Sequence, residues 1–459
     1  MEVVLIILAL SCVITPLVVG RKYGILPYVS PLYFVSYFAF FGILLKTISY
    51  LIAPELVFFR NYIRDDSAVM WGYLYVTLFV FAICVGYRFG IRRVEFLRSA
   101  DFAKISVLSI LKRKSLFLFS VTAFVLVAIS FLSHRGFSGL SDAFSLTTLH
   151  ILNSQKLSQI EGVEGYGSSF AAIRPLFIIN TLAFVVFYSI QRVRPSVRNG
   201  AYTYFTLFIC VLATLLLGQR IELVSLIIYV LCINIMLGRK VNISMIAGLV
   251  AAFSLVLVVF VFMTTLRSAK GDIYDSDLLI SASLSQILNS TYFLDVNMSI
   301  LIVELSDPES RFYGESYLWW LFGWIPREIW PTKPALTLGP YIKQYVLGIY
   351  GGVGGINPTG PGEAFLNFAW FGIFVGAALG FAYRKIEEFM LSTKMVLNGG
   401  SVWLYPLLFF PFIQTTLQSS FSAFIVSVTV EFIIIWIILR YVKANINKGT
   451  LALLGSPLR

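Results

Sequence analysis

Long apolar runs recur along this chain from its first residues to residue 439. Each run is long enough to cover the roughly 30 Å hydrocarbon layer of a bilayer, and a backbone in that layer must satisfy its own hydrogen bonds as a helix. Charged residues are 13% of the chain, about half the share found in soluble domains. The sequence therefore predicts an all-α integral membrane protein, and residues 1–459 are expected to form a single polytopic domain.

The apolar runs predict about eleven (11–12) transmembrane helices. These are expected at 3–20, 28–52, 69–87, 115–133, 173–190, 201–217, 221–237, 243–265, 364–383, 402–418 and 421–439. The first run lacks a basic n-region and a small-residue cleavage site, so we interpret it as a span rather than a signal peptide. The four cysteines lie within the runs without metal-ligand spacing, and they are expected to be buried apolar residues.

Basic residues fall mainly in alternate loops between the predicted spans. These loops hold most of the chain's 35 lysines and arginines, but few acids, namely Glu95, Asp101, Glu387 and Glu388. Because basic residues resist translocation, these loops are expected on the cytoplasmic side. The net charge of +12 is then a signal of topology, and it does not indicate a nucleic-acid partner.

Two long loops are predicted on the opposite, outer face, at 134–172 and 266–363. The second has an amphipathic middle at 278–305, a tryptophan-rich segment and a glycine-rich end at 348–362. No internal repeat is evident in the sequence, so an inverted-repeat transporter gains no support. We therefore expect the chemistry of this protein on the outer face of the membrane.

Four arginines lie at the outer ends of predicted spans or in the outer loop, and these are Arg174, Arg220, Arg267 and Arg327. An arginine at the bilayer centre costs about 2.5–3.5 kcal/mol, and less near the interface, so a compensating partner is expected. A guanidinium pairs bidentately with phosphate oxygens, which favours a diphosphate clamp. The alternative is that each side chain reaches lipid headgroups or pairs locally, as Arg220 would with Glu222.

Outer carboxylates supply candidate general bases. Glu315 and Glu363 are the preferred ones, since a transfer to a hydroxyl group needs a base near that hydroxyl. Glu363 lies where the glycine-rich segment re-enters the membrane, and Glu315 begins the tryptophan-rich segment. The alternative is structural pairing of these carboxylates with Arg327 or Lys333.

Other polar groups of the outer loops are weaker candidates. They are Asp272, Asp275 and Asp277 as a divalent-cation site, and His134 and His150 as bases. We interpret the aspartates as part of a solvated loop and the histidines as surface residues. No metal and no cofactor is therefore predicted.

Two sequence strings carry most of the functional information. The first runs Gly314-Glu315-Ser316-Tyr317 and continues to Pro326-Arg327-x-x-Trp330-Pro331-x-Lys333-Pro334, and the second runs Gly362-Glu363-x-x-x-Asn367-Phe368. Together they resemble the signature of the Wzy-type O-antigen polymerases, the bacterial oligosaccharide repeat-unit polymerase family. The residues that carry this resemblance are confined to about 314–372. A weaker similarity, which O-antigen ligases share, lies at 218–220.

The resemblance implies a GT-C-like membrane glycosyltransferase of the bacterial inner membrane, with its active site facing the periplasm. Such enzymes join undecaprenyl-diphosphate-linked oligosaccharide repeats, and they move the growing chain from its lipid diphosphate to a sugar hydroxyl of the next unit. The donor and acceptor lipids and the bilayer are then the expected partners, with a flippase and a chain-length regulator as further ones. Family members often have twelve or more spans. A further membrane element, beyond the predicted spans, would then lie within 278–305.

On this interpretation Arg220, Arg267 and Arg327 bind the diphosphates, Arg174 and Lys333 support them, and Glu363 or Glu315 is the base. Three other functions stay open. A ligase would use the same donor but a different acceptor. A transporter or flippase would need charges near the midplane, and the sequence offers mainly Glu431 there. A non-catalytic partner of the envelope machinery is the third.

Overall fold

All of the regular structure described for this chain is helical. The computed structural model describes residues 2–52, 62, 66–91, 107, 110, 112–134, 174–217, 220–239, 241–245, 247–248, 250–252, 254, 293–325, 329–330, 332–350, 355–392, 395 and 401–442. The main helices are α1 (Glu2–Tyr23), α2 (Pro31–Ile52), α3 (Asp66–Phe89), α4 (Arg113–His134), α5 (Phe177–Val193), α6 (Val197–Leu217), α7 (Arg220–Met236), α8 (Ile243–Ala252), α9 (Val296–Leu305), α10 (Gly360–Phe368), α11 (Ile373–Met390), α12 (401–418) and α13 (Phe421–Val442).

Shorter helical turns fill the spaces between and within these helices. The 3-10 turns are Arg174–Leu176, Pro308–Ser310, Glu315–Tyr317, Trp319–Leu321 and Ala369–Gly372. A further short helical segment occupies 339–346, and π-helical turns lie within α2 at Phe40–Leu44 and within α12 at Tyr405–Phe409.

Helices lie at the positions of the predicted spans in the described part of the chain, whereas most of 253–265 in the predicted 243–265 span lies outside the described residues. Among the described residues, five stretches are long and apolar enough to cross a membrane, and these are α1, α2, most of α3, the α10–α11 unit and α13. Prolines mark two helix starts, Pro31 of α2 and Pro361 of α10, where the missing N–H costs no helical bond. The four cysteines are free and buried, as predicted.

Helices α3 and α11 pack closely because glycines line their interface. A Cβ added to Gly380 would lie 2.0 Å from the carbonyl oxygen of Ile83, and a Cβ on Gly86 would lie 1.9 Å from that of Ala377. Gly376 lies one turn before Gly380, on the same face of α11, and a Cβ on it would lie 2.7 Å from the carbonyl oxygen of Phe79. This spacing of small residues lets two backbones approach each other in a membrane protein.

Helix α9 lies inside the segment predicted as a large outer loop, and it is buried. Residues 296–302 are all buried, whereas the sequence suggests an amphipathic stretch at 278–305. The helix packs against α3 and α10, so its polar residues face protein partners instead of water. At its first turn the carboxylate of Asp295 accepts from the backbone N–H of Asn297 at 3.0 Å and pairs with Lys46 of α2 at 2.8 Å.

Helix α11 continues two turns beyond residue 383, where the sequence predicts the end of a span. Arg384, Glu387 and Glu388, which were expected in a cytoplasmic loop, are buried in these turns. The guanidinium of Arg384 pairs with Glu388 at 2.8 Å, and Glu387 accepts from the hydroxyls of Ser30 and Tyr87. The charges are therefore satisfied within the protein, which removes the need for a solvent-exposed loop.

Candidate functional site

The two motif strings of the sequence meet in one hydrogen-bonded group. The hydroxyl of Ser316 donates to Glu363 Oε1 at 2.9 Å. Asn367 Nδ2 donates to Ser316 Oγ at 2.8 Å, and Asn367 Oδ1 accepts from the backbone N–H of Gly314 at 2.8 Å. We call these residues, with Phe421 of α13, the motif cluster. It joins the 3-10 turn Glu315–Tyr317 to α10.

The start of α10 is built to place Glu363. Thr359 precedes the helix, and its hydroxyl accepts from the N–H of Gly362 at 3.3 Å as an N-cap. A Cβ on Gly360 would lie 2.1 Å from the carbonyl oxygen of Thr416, so only glycine lets this turn approach α12 so closely. Glu363 follows in the first turn of α10, and its side chain points toward the Glu315–Tyr317 turn.

Glu363 is only 2% exposed, and both of its carboxylate oxygens accept hydrogen bonds. Oε1 accepts from Ser316, and Oε2 accepts from the backbone N–H of Phe421 at 2.9 Å. Phe421 begins α13, where the helix dipole and unpaired N–H groups favour a negative charge. The carboxylate therefore ties the Glu315–Tyr317 turn and α10 to the start of α13.

An aromatic contact closes the motif cluster on one side. The ring of Tyr317 stacks with that of Phe368, with centroids 6.2 Å apart, and meets the ring of Phe421 edge-on at 5.6 Å. Burial raises the pKa of Tyr317 well above its usual range, and the nearby Glu363 carboxylate adds to the shift. The phenol therefore stays protonated at physiological pH.

Glu315, the other predicted base, has a different environment. Its side chain is exposed, and its Oε1 accepts from the indole N–H of Trp319 at 3.2 Å. Of the two predicted bases, Glu363 is buried and bonded twice, whereas Glu315, on the 3-10 turn that Glu363 contacts, is open to solvent. Only an exposed carboxylate has direct access to a ligand in this arrangement.

The predicted diphosphate clamp is described only in part. Arg174 lies in the 3-10 turn before α5 and Arg220 begins α7, but their side chains lie outside the described residues. Arg267 and Arg327 lie wholly outside them. The convergence of these arginines stays a prediction. The weaker candidates Asp272, Asp275, Asp277 and His150, and the side chain of His134, also fall outside the described part of the chain.

Lys333, the fifth member of the predicted clamp, is held by backbone oxygens. Its ammonium donates to the carbonyl of Ile325 at 2.5 Å and to that of Gly323 at 3.2 Å. These bonds fold the tryptophan-rich segment back on itself. They also fix the position of one positive charge in the first motif string.

A cavity of about 450 Å3 opens beside α10. Its walls include Trp71 of α3, Glu304 at the end of α9, Phe365 of α10 and Trp370 of the Ala369–Gly372 turn. The two indole rings meet edge-on, with centroids 5.8 Å apart. Aromatic walls with one carboxylate are typical of a pocket that binds a small polar ligand.

Neither this cavity nor the ion pair between Lys46 and Asp295 is predicted from the sequence. Lys46 and Asp295 are 1% and 0% exposed, and Ser299 bonds to both the carbonyl of Asp295 and the hydroxyl of Thr359. A lysine inside an apolar run was the one signal of this arrangement, because such a charge requires a partner. Glu431, which was singled out, accepts from Ser427 one turn earlier at 3.0 Å.

The fold and composition define the class of this protein, an all-α, multi-pass membrane protein. Comparison with known proteins adds no family, since no family model, no curated protein and no solved structure matches the chain. Among the described residues, no group of three or more His, Cys, Asp and Glu side chains is placed to hold a metal ion.

Proposed function

We propose that this protein polymerises undecaprenyl-diphosphate-linked oligosaccharide repeat units at the periplasmic face of a bacterial inner membrane. The observation that carries the proposal is the motif cluster, in which the two strings that resemble the polymerase signature bond directly to each other. Strings that are distant in sequence and serve one active site are expected to converge in this way.

The proposed reaction is a glycosyl transfer between two lipids. A hydroxyl of the acceptor sugar attacks the anomeric carbon of the growing chain, and the bond from that carbon to the diphosphate oxygen breaks. Undecaprenyl diphosphate leaves with the bonding electrons, and the acceptor proton passes to a base. The growing chain thereby moves onto the next lipid-linked unit, and no nucleotide sugar takes part.

The two carboxylates have separate roles in this proposal. Glu315 is exposed next to the motif cluster and takes the proton, since a base must reach the acceptor hydroxyl. Glu363, with both oxygens bonded inside the protein, is a positioning residue that fixes the turn on which Glu315 lies. The cavity lined by Trp71, Glu304 and Trp370 binds a sugar ring, with aromatic faces against its C–H groups and the carboxylate on a hydroxyl.

The diphosphates require cations aimed at the charge that develops as they leave. The proposal assigns this role to Arg220, Arg267 and Arg327, with Arg174 and Lys333 in support. It also includes the topology of eleven or twelve spans, with the GT-C-like arrangement of a large periplasmic loop at 266–363. In that loop α9 is a re-entrant element, which agrees with its burial among α3 and α10.

A deletion strain tests the proposal through its surface polysaccharide. It is complemented with wild type, Glu315→Gln or the control Glu309→Gln, which alters an exposed carboxylate on the nearby Pro308–Ser310 turn. We expect the deletion to leave lipid A core with a single repeat unit and no ladder. Glu309→Gln should restore the ladder, whereas Glu315→Gln should not, at equal protein level in the membrane.

The same gel separates the other functions. Bare core with full-length polymer on undecaprenyl diphosphate would identify a ligase, for which the short 218–220 turn before α7 is the sequence feature in favour. Bare core without polymer would indicate a flippase. A normal ladder in the deletion strain would indicate a non-catalytic partner, and each of these three results would overturn the proposal.

A further inference from the structure

A second and larger cavity, of about 810 Å3, lies among α5, α6, α7 and α8. None of its lining residues belongs to the motif cluster or to the predicted clamp. Its walls combine apolar side chains of α6, α7 and α8 with two arginines, Arg192 at the end of α5 and Arg239 after α7. Among the described residues that line this cavity, none is acidic, so its charge favours an anionic ligand.

Arg192 is held in place before any ligand binds. Its Nε donates to the hydroxyl of Tyr188 at 3.0 Å, and its guanidinium lies over the Tyr188 ring at 5.4 Å. Arg239 Nη2 donates to the backbone carbonyl of Arg192 at 3.1 Å, so the second arginine is anchored to the residue that carries the first. Both arginines line the cavity, and a guanidinium pairs with phosphate oxygens through its N–H groups.

Asn234 adds a second and independent sign of a ligand. It lines the cavity and is 1% exposed. Its amide nitrogen donates to the hydroxyl of Tyr188 at 2.7 Å and to the carbonyl of Val230 at 2.8 Å. Its oxygen, Oδ1, has no hydrogen-bond partner among the described residues. A buried acceptor without a donor is unfavourable by about 1–3 kcal/mol, so a bound molecule with an O–H group would stabilise the site.

The apolar walls of the cavity favour a lipid over a soluble anion as its ligand. Leu207, Leu226, Ile227 and Met245 line the cavity beside the arginines. Helix α8 also exposes Ile243 and Val250, which are 86% and 59% exposed. In a protein of this class such exposed apolar side chains are expected to face hydrocarbon, which favours a lipid over a soluble anion as the ligand.

We propose that this cavity binds the headgroup of an anionic phospholipid of the phosphatidylglycerol type. The phosphodiester lies between Arg192 and Arg239, and a headgroup hydroxyl donates to Asn234 Oδ1. One acyl chain lies along the apolar residues of α7 and α8. The site is separate from the proposed glycosyl transfer, and it would hold a structural or regulatory lipid even if that function were wrong.

Lipid binding to the purified full-length protein tests this proposal. Native mass spectrometry in detergent, titrated with phosphatidylglycerol or with phosphatidylcholine, gives the affinity for each lipid. We expect one phosphatidylglycerol to bind, and the double variant Arg192→Gln/Arg239→Gln to weaken its binding at least about tenfold. The matched control is Arg198→Gln, because Arg198 contacts Tyr202 through a similar hydroxyl bond and ring contact but does not line the cavity.

A second variant distinguishes loss of lipid binding from loss of folding. Gly248 of α8 lines the cavity and a Cβ there would meet no atom within 4 Å, so Gly248→Leu adds apolar volume at the cavity wall with open space at its Cβ. It should remove phosphatidylglycerol binding while the melting temperature in detergent stays unchanged. Equal binding of both lipids, undiminished binding by these variants, or displacement by millimolar inorganic phosphate would overturn the lipid assignment.

Discussion

The hydroxyl of Ser316 donates to the carboxylate of Glu363 across 2.9 Å, although 47 positions separate the two residues in sequence. The amide of Asn367 donates to the same hydroxyl oxygen at 2.8 Å and to the backbone carbonyl of Glu363 at 2.8 Å. All three side chains are buried, so each depends on the others for its hydrogen bonds. The motif strings therefore form one structural unit, whatever reaction they support.

Replacement of Ser316 by alanine should destabilise this unit. Ser316→Ala leaves the Glu363 carboxylate with one donor fewer and the Asn367 amide with one acceptor fewer, and an unsatisfied buried group costs about 1–3 kcal/mol. We expect a lower melting temperature of the purified protein in detergent. Ser392→Ala is the control, since that hydroxyl makes an exposed local bond to the carbonyl of Phe389. Equal melting temperatures for the two variants would show that the cluster adds little stability.

The ion pair between Lys46 and Asp295 should show strong coupling. Both side chains are buried, and loss of one partner from such a pair costs about 3–5 kcal/mol because the other charge is stranded. Lys46→Met and Asp295→Asn are each expected to destabilise the protein strongly. The double variant should cost much less than the sum of the two, since neither charge remains. Asparagine keeps the oxygen that caps α9, so the cycle measures the pair and not the cap.

A double-variant cycle of unfolding free energies in mixed micelles checks this coupling. Additive effects of the two substitutions, within about 0.5 kcal/mol, are the result for residues that do not interact. That result would mean that the pair is not formed in the folded protein.

The α3–α11 interface should tolerate no side chain at Gly380. A Cβ there lies 2.0 Å from the carbonyl oxygen of Ile83, so Gly380→Ala must push the two helices apart, and we expect a marked fall in melting temperature. Gly200→Ala is the matched control in α6, because its Cβ would meet no atom closer than 3.6 Å. That change should be neutral or stabilising by up to about 1 kcal/mol, as alanine favours a helix. Equal effects of the two changes would argue against the close approach of α3 and α11.

Among the described residues, the long apolar helices follow from apolar runs, and the sequence predicts them, whereas the shorter helix α9 lies where a loop was expected. Charges inside the fold do not follow from such runs. Arg384 and Glu387 look like the start of a cytoplasmic loop, because their partners Ser30 and Tyr87 lie on other helices. The same holds for Lys46, whose partner Asp295 is remote in sequence. The positive-inside rule counts basic residues along the sequence, and it does not account for charges that are paired inside the protein.

The candidate site, like the fold, is predicted only in part from the sequence. Both motif strings stand out in the sequence, and Glu363 and Glu315 can be selected from them by residue type. Their different environments depend on Ser316, on Trp319 and on the start of α13, and no local pattern specifies those contacts. The cavity beside α10 draws its walls from α3, α9 and α10 together, so it becomes visible only when these helices are assembled.

Trp71 offers the most direct test of that cavity as a sugar-binding site. Its indole lines the cavity and is 52% exposed, so Trp71→Leu should remove an aromatic face with little effect on folding. If a sugar ring of the acceptor lies against the indole, the KM for the lipid-linked unit should rise about tenfold, since such a contact contributes about 1–1.5 kcal/mol. The turnover number should change much less, because the reacting groups remain in place.

Polymerisation by purified protein in liposomes, at varied concentrations of the lipid-linked repeat unit, provides the measurement. Trp436→Leu is the control, because Trp436 is exposed to a similar extent on α13 and contacts Arg440 instead of a cavity. A loss of lipid anchoring would affect both variants alike, whereas loss of a sugar contact would affect Trp71→Leu alone. An unchanged KM for Trp71→Leu would place the acceptor sugar elsewhere, and the exposed face around Glu315 would then be the next region to examine.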